Sequence, residues 1–344
     1  SQIRPGLGIG SPLKGLSGKP RAGASSNGTN PGELSPPAPL AYDPLMSLSD
    51  RTENWIPIED PLGICWIHRD WVEGLETVGL ASFSKWMDLS GIPFREVSMR
   101  PKRPVVEIRF ESLPKGFYLK RNLETPRAEG FAQKLGISKI QSEARKEVEK
   151  ITGIAEAGIA TQKVIAWGEG TWDGISNASF VATEDLQALP LERYLFHHWK
   201  PPLSEESAND KDAIIGALGD LTRRMHSGGW VHRDFYLGHI FVREAGANED
   251  RLCVIDVQRA TRRPSWWLRS QIKDLASLHF SADPAFIDEE DRERFLKTYW
   301  QTDRFSHYHR FLLSWIRRKG DRIRRHTEKS LGIPYRDFFK NKYY

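Results

Sequence analysis

Hydrophobic and polar positions follow two different periods in the two halves of this chain. From Val105 onward short segments alternate between β-branched and polar residues, as half-buried strands do. A fifth segment among them has apolar residues at helical spacing. The four alternating segments are predicted to be strands, over 105–110, 116–120, 162–167 and 179–183. The segment with helical spacing is predicted to be a helix over 143–157. The first half is therefore predicted to be a small sheet with one helix packed against it.

The second half has mainly helical spacing. Residues 212–226 carry their apolar side chains on one stripe, and Gly228 and Gly229 end that segment. Further segments of the same kind are predicted helices over 273–280, 290–299 and 305–327, with short strands over 240–242 and 252–257. This order predicts an α+β fold of two lobes, one β-rich and one helical, with a cleft between them where a ligand could bind.

Composition limits the folded part. Gly, Pro and Ser fill 21 of the first 40 positions. Such a composition cannot bury enough apolar surface to support a fold, so we predict a disordered tail over 1–41. An aromatic-rich segment opens the β-rich lobe over 42–186, and the helical lobe with its basic end covers 187–344. Cys65 and Cys253 are the only cysteines, which excludes a disulfide framework or a four-cysteine zinc site. We expect neither a secretory signal nor a membrane-spanning helix.

Positive charge is concentrated near the C-terminal end of the sequence. Residues 301–344 contain twelve Lys and Arg against four Asp and Glu, whereas the whole chain has a net charge of only +5. Basic residues over 317–325 recur at helical spacing beside apolar ones, which predicts an amphipathic helix with a cationic face. Such a face suits an anionic membrane surface or a phosphorylated glycolipid, or it is simply solvated. Nucleic acid is not expected as a partner, because no zinc finger or aromatic-basic motif accompanies the charge.

Two carboxylates form the strongest candidate for chemistry. Asp234 follows His232 and Arg233 in a loop after the long helix, and Asp256 ends an apolar strand 22 positions later. Phosphoryl transfer needs this division of labour: one Asp orients the attacking hydroxyl and accepts its proton, and another holds the magnesium that bridges the nucleotide phosphates. Lys120, at the end of a predicted strand, and Glu147, in the following helix, would form the pair that grips the phosphates.

These motifs together resemble the protein-kinase-like superfamily, and more narrowly the lipopolysaccharide core heptose kinases of the Kdo/WaaP family. The resemblance extends over about residues 60–330. It is carried by Phe117-Tyr118-Leu119-Lys120, Thr183-Glu184-Asp185-Leu186, His232-Arg233-Asp234, Tyr236, His239, Val254-Ile255-Asp256, Arg259-Ala260 and Lys273-Asp274-Leu275.

The resemblance implies a protein-kinase-like fold and a role for each matching residue. Asp234 would be the catalytic base within the set His232, Arg233 and Asp234, and Asp256 the magnesium ligand. Lys120 and Glu147 would position ATP, the segment Glu184 to Leu186 would bind its adenine edge, and Asp274 would hold the catalytic loop. The implied reaction is ATP- and Mg²⁺-dependent phosphorylation of a heptose in the lipopolysaccharide inner core, at the cytoplasmic face of the inner membrane.

Departures from the wider kinase pattern concern phosphate coverage, the second metal ligand and the acceptor. No Gly-x-Gly-x-x-Gly precedes Lys120, so the phosphates must be covered in another way. His239 stands where kinases carry a metal-binding Asn, and imidazole is a poor magnesium ligand, so His239 is either a second metal contact or a packed residue. Only 18 positions separate Asp256 from Asp274, which leaves little room for a peptide-docking platform and favours a glycan acceptor.

Three arginines after Asp256 are candidate contacts for phosphates already on the acceptor: Arg262, Arg263 and Arg269. Three alternatives to a heptose kinase stay open at this point. They are a kinase for Kdo or another glycan, a protein kinase, and a nucleotide-binding scaffold without turnover.

Overall fold

The computed structural model describes residues 53–124, 141–243, 251–335 and 337. Within this part, the chain forms a seven-stranded antiparallel sheet and then a mainly helical lobe. The α+β, two-lobe prediction is confirmed. The tail predicted over 1–41 lies outside the described residues.

The seven strands of the large sheet lie in the order β1-β2-β6-β7-β5-β4-β3. Their bounds are β1 Trp55–Asp60, β2 Gly63–His68, β3 Phe94–Arg100, β4 Arg103–Ile108, β5 Phe117–Asn122, β6 Val164–Trp172 and β7 Ile175–Glu184. Two short helices, α1 (Val72–Thr77) and α2 (Phe83–Asp88), lie between β2 and β3 in the sequence.

Alternation along β7 distributes the apolar residues between the two faces of the sheet. Phe180 and Ala182 join the core that contains α2, where Phe180 stacks on the buried Trp86 at 4.9 Å between ring centroids. Val181 points to the opposite face and packs against α3 (Glu143–Glu156). Ser142 caps α3, since its hydroxyl accepts the Arg145 amide. The same hydroxyl donates to Glu169 of β6, which attaches the start of the helix to the sheet.

The helical lobe contains five helices in the described residues: α4 Leu191–His198, α5 Glu205–Ser227, α6 Trp267–Ser281, α7 Glu289–Trp300 and α8 His307–Leu331. Its short strands are β8 Leu189–Pro190, β9 Trp230–Val231, β10 Ile240–Val242, β11 Leu252–Val254 and β12 Thr261–Arg262. They pair as β11-β10-β8 and as β12-β9. None of the described helices combines the length and the hydropathy needed to cross a bilayer.

Helix α3 connects the two lobes. Its first half packs on the sheet, whereas Ile151 and Ile154 are buried in the same core as the helices of the second lobe. Gly153 lies between them, and a β-carbon there would come within 2.6 Å of the Trp230 ring. The absence of a side chain at Gly153 therefore permits the close approach that couples α3 to the helical lobe.

Most predicted elements are present with shifted ends, but nine described helices and strands were not predicted from the sequence: β1, β2, β3, β8, β9, β12, α1, α2 and α4. The strand β3 is the edge strand, and most of its residues are exposed on both faces. It has no buried face, and so its sequence lacks the alternation by which half-buried strands are recognised.

Candidate active site

The loop that carries Asp234 is held from below by a buried carboxylate. Asp274 on α6 is fully buried, and its two oxygens accept the backbone amides of His232 and Arg233, each at 2.7 Å. Arg233 has φ +72°, a left-handed conformation that costs a non-glycine residue roughly 1–2 kcal/mol. The two charge-assisted hydrogen bonds offset that strain and fix the direction in which the next residue, Asp234, leaves the loop. Asp274 thus lies on α6 beneath the loop that carries Asp234.

His232 holds the loop that carries Asp234 in place. Its Nε2 donates to the carbonyl of Ile255 at 2.9 Å, and its Nδ1 accepts the amide of Asp234 at 3.3 Å. Burial lowers the pKa of His232, which favours the neutral ring that both bonds require. The ring therefore ties the loop to the strand end that carries Asp256. Arg233, predicted in the same catalytic set, contributes its backbone, since its side chain points to solvent.

Asp256 follows β11 in a left-handed conformation, φ +55°, and its side chain is 48% exposed. His239 joins it to the catalytic loop: Nδ1 donates to the Asp234 carbonyl at 2.8 Å, and Nε2 lies 3.9 Å from an Asp256 oxygen. The structure thus brings together the two predicted carboxylates and His239. No group of three or more His, Cys, Asp or Glu side chains suited to a metal occurs in the described residues. One exposed carboxylate fits Mg²⁺, which is commonly held by one or two carboxylates together with substrate phosphates.

Glu147 is the centre of a second cluster of polar side chains in the site. It is 1% exposed, and its Oε1 accepts Lys120 Nζ at 2.8 Å, as predicted. Its other oxygen has two partners that the sequence did not indicate: Arg103 at 3.3 Å and Gln258 at 3.1 Å. One buried carboxylate therefore faces two cations, and the excess positive charge suits a polyphosphate ligand.

Gln258 connects this cluster to the turn after Asp256, since it lies two residues after that carboxylate. Besides its bond to Glu147, its carbonyl accepts a hydrogen bond from Lys150 of α3. Burial lowers the pKa of Lys150. Helix α3 is thus attached to the turn after Asp256 through both the side chain and the backbone of one residue.

The turn between β3 and β4 lies over the same side of the site. It contains Pro101 and Lys102 and leads into Arg103, whose guanidinium reaches Glu147. The hairpin predicted from the sequence, with its turn at 114–116, is present and joins β4 to β5, so the turn between β3 and β4 belongs to a different hairpin. A basic turn therefore lies beside the cluster around Glu147. Sequence reasoning missed it because β3 was not recognised.

The predicted adenine-binding segment lies at the end of β7, where the chain passes into the second lobe. The amides of Glu184 and Asp185 donate to the carbonyls of Lys163 and Gly116, each at 2.9 Å. The buried Asp185 carboxylate pairs with Arg109, the residue that follows β4. These bonds fix the backbone of the segment, and because they use both amides, an adenine edge would have to meet the Glu184 carbonyl or Leu186.

Asp234 is paired with two cations that lie after Asp256 in the sequence. Arg259 Nη1 lies 2.9 and 2.8 Å from its two oxygens, and Lys273 Nζ lies 3.6 Å away. The three arginines predicted to touch the acceptor flank this region differently. Arg262 pairs with Trp230 through the backbone of β12, Arg263 packs on Gly229, and Arg269 is exposed on α6.

Comparison with known proteins agrees with this geometry. The model of the lipopolysaccharide kinase (Kdo/WaaP) family matches residues 89–299, which is more than half of the chain. The chain belongs to this family. Its Kdo/WaaP membership makes it a phosphotransferase that acts on a hydroxyl group, as predicted.

Individual members of the Kdo/WaaP family align over most of their length. The lipopolysaccharide core heptose(I) kinase WaaP of Pseudomonas aeruginosa is 30% identical, and the alignment covers 77% of this chain and 94% of that protein. WaaP of Escherichia coli K12 is 28% identical over 80% of this chain and 98% of its own. A solved structure of WaaP in complex with acyl carrier protein has a TM-score of 0.51 and 27% identity, covering 69% of this chain and 91% of that one.

Proposed function

We propose that this protein transfers the γ-phosphate of ATP to a hydroxyl of a heptose in the lipopolysaccharide inner core, with Mg²⁺. The chief support is the continuous set of contacts from Lys120 through Glu147 and Gln258 to the turn after Asp256. Similarity to heptose(I) kinases from two species supports the choice of acceptor.

Each polar group has a task in this mechanism. Lys120, fixed by Glu147, and Arg103 bind the phosphates of ATP. Asp256 would be the residue that holds Mg²⁺, and the ion would supply neutralisation of the negative charge on the phosphates. Asp234 orients the acceptor hydroxyl and takes its proton, a contribution of roughly 10²–10⁴-fold. Positioning and charge stabilisation supply most of the remaining rate.

The segment after Asp256 favours a glycan over a protein acceptor. It forms one short turn over Val257–Arg259 and the two-residue strand β12, and α6 begins at Trp267. This path leaves no extended platform in the described residues on which a peptide could lie.

Transfer of labelled γ-phosphate to purified inner-core glycolipid tests the proposal. Wild type should place the label on heptose, and Asp234→Asn should lose most turnover while still binding ATP in a thermal-shift titration with magnesium. Asp321→Asn, at an exposed carboxylate of α8, is the matched control and should retain activity. Label on Kdo, on another sugar or on a protein would replace heptose as acceptor. ATP binding without any phosphate transfer would indicate a nucleotide-binding scaffold without turnover.

We also propose that α8 docks the enzyme on the anionic inner-membrane surface. One stripe of this helix exposes aromatic residues in its first half, Tyr308 and Phe311, and basic residues in its second, Arg318, Arg322 and Arg325. Near an anionic surface each basic residue contributes about 1 kcal/mol.

Sedimentation with vesicles of anionic lipid tests the docking. Binding should fall as salt rises, and it should be lost when Arg318, Arg322 and Arg325 are replaced by Gln. Binding of wild type and this variant to the same extent would contradict the proposal.

A further inference from the structure

The solvent side of the proposed catalytic base is covered by an arginine. A single nitrogen of Arg259 contacts both carboxylate oxygens of Asp234, at 2.9 and 2.8 Å. The Asp234 side chain is 21% exposed and the Arg259 side chain is 57% exposed, so the pair lies at the protein surface with the carboxylate as its more buried partner. An acceptor hydroxyl must approach one of these same oxygens.

The Arg259 side chain can leave Asp234 while the backbone of its turn stays in place. Arg259 ends a short turn in which the Ala260 amide donates to the carbonyl of the buried Val257 at 2.8 Å. The side chain extends from this fixed point into solvent. Because the arginine of this ion pair is largely exposed, the pair is weak, and another anion can replace Asp234 as the partner at little cost.

A second cation stays beside Asp234 when Arg259 leaves. Lys273 is half-buried on the other side of the loop, where it donates to the Arg233 carbonyl and lies 3.6 Å from the Asp234 carboxylate. The two cations therefore differ in role. Lys273 is part of the loop support, and Arg259 is the exposed and exchangeable one.

We propose that Arg259 determines acceptor specificity by exchanging Asp234 for an anionic group of the acceptor, a carboxylate or a phosphate, near the hydroxyl to be phosphorylated. An anionic acceptor draws the guanidinium away and frees the base. Water and a neutral sugar offer no competing anion, so the base stays covered and ATP is not hydrolysed unproductively. This inference rests on the proposed kinase function.

The test compares wild type with Arg259→Gln and Arg259→Lys. Arg304→Gln, at an exposed arginine in the turn before α8, is the matched control. Each protein is assayed for ATP hydrolysis without acceptor, and for kcat and KM on intact, dephosphorylated and carboxyl-reduced inner-core glycolipid. The melting temperature with and without MgATP verifies that each variant folds and binds nucleotide.

Arg259→Gln should raise acceptor-free ATP hydrolysis at least fivefold and raise KM for the intact glycolipid about tenfold, the loss typical of one charge-assisted hydrogen bond. Wild type should prefer the intact glycolipid over either the dephosphorylated or the carboxyl-reduced form. The form that it uses less well identifies the recognised anion as a phosphate or a carboxylate, respectively. This preference should nearly vanish in Arg259→Gln and be partly retained in Arg259→Lys, which keeps the charge without the planar fork.

Two results would overturn the inference. One is an unchanged rate of ATP hydrolysis in Arg259→Gln; the other is an equal loss of kcat on all three glycolipids with selectivity intact. If wild type phosphorylates none of the glycolipids, the proposed acceptor is wrong, and the hydrolysis comparison still decides whether Arg259 covers the base.

Discussion

Replacing Asp274 by alanine removes the support of the catalytic loop without touching ATP or the acceptor. The side chain is fully buried and accepts two backbone amides at 2.7 Å. Hydrogen bonds to a charged group contribute about 1.5–3 kcal/mol each, so the bonds together are worth about 3–6 kcal/mol. The loop can relax and regain water, and Arg233 can leave its strained conformation. We therefore expect Asp274→Ala to lower the free energy of unfolding by about 3 kcal/mol, near the lower end of that range.

The expected effect on activity is larger than the effect on stability. The next residue after the held amides is Asp234, and a shift of about 1 Å in a reacting group can cost about 10²-fold in rate. Asp274→Ala should stay folded, since domains commonly have about 5–15 kcal/mol of stability, while turnover falls at least 100-fold. Urea unfolding and labelled-phosphate transfer measure the two effects on the same preparation.

Two further variants sharpen this test. Asp274→Asn keeps one acceptor oxygen but directs an amide donor at the other backbone N–H, so it should recover no more than half of the lost stability. Asp321→Ala removes an exposed carboxylate of α8 and should leave both measurements unchanged. A folded Asp274→Ala protein with turnover within twofold of wild type would refute the assigned role of this carboxylate.

Three other predictions follow from buried polar groups. Gln258→Leu should lower kcat/KM for ATP about tenfold, because the buried Glu147 loses a hydrogen-bond donor worth about 1.5–3 kcal/mol. The pKa of His279 is lowered to about 4 by burial and neighbouring arginines, so the unfolded chain takes up a proton first as pH falls below its ordinary value near 6.5. Folding stability should therefore fall between pH 7.5 and pH 5 by about 2 kcal/mol more in wild type than in His279→Gln, measured by urea unfolding. Burial raises the pKa of Cys65 and of Cys253 to about 12, so neither thiol should react with a thiol reagent at pH 8 until the protein is unfolded.

Each of these has an outcome that would count against it. Equal kcat/KM for ATP in wild type and Gln258→Leu would remove Gln258 from the nucleotide site. If the free energy of unfolding changed with pH by the same amount in wild type and His279→Gln, this ring would have the same proton affinity in the folded and the unfolded chain. Reaction of one thiol per native molecule would contradict the burial of both cysteines.

Sequence patterns were sufficient where a residue's role depends on its neighbours in the chain. The helix stripe of α5, the apolar strand before Asp256 and the motif around Asp234 each have a local signature, because burial repeats with the period of the helix or strand. Lys120 and Glu147 were paired from the sequence because one ends a strand and the other lies in the next helix. The structure brings them to 2.8 Å.

Tertiary structure decided the partners that no local pattern specifies. Arg103, Gln258 and Arg259 reach carboxylates that are 44, 111 and 25 positions away in the sequence. Their contacts depend on how β4, α3 and the turn after β11 pack together, and an arginine or glutamine at these positions has no periodicity that marks it as part of a site. The strand β3 was not predicted for a related reason. Because it has no buried face, its sequence lacks the alternation of apolar and polar residues that marks a strand.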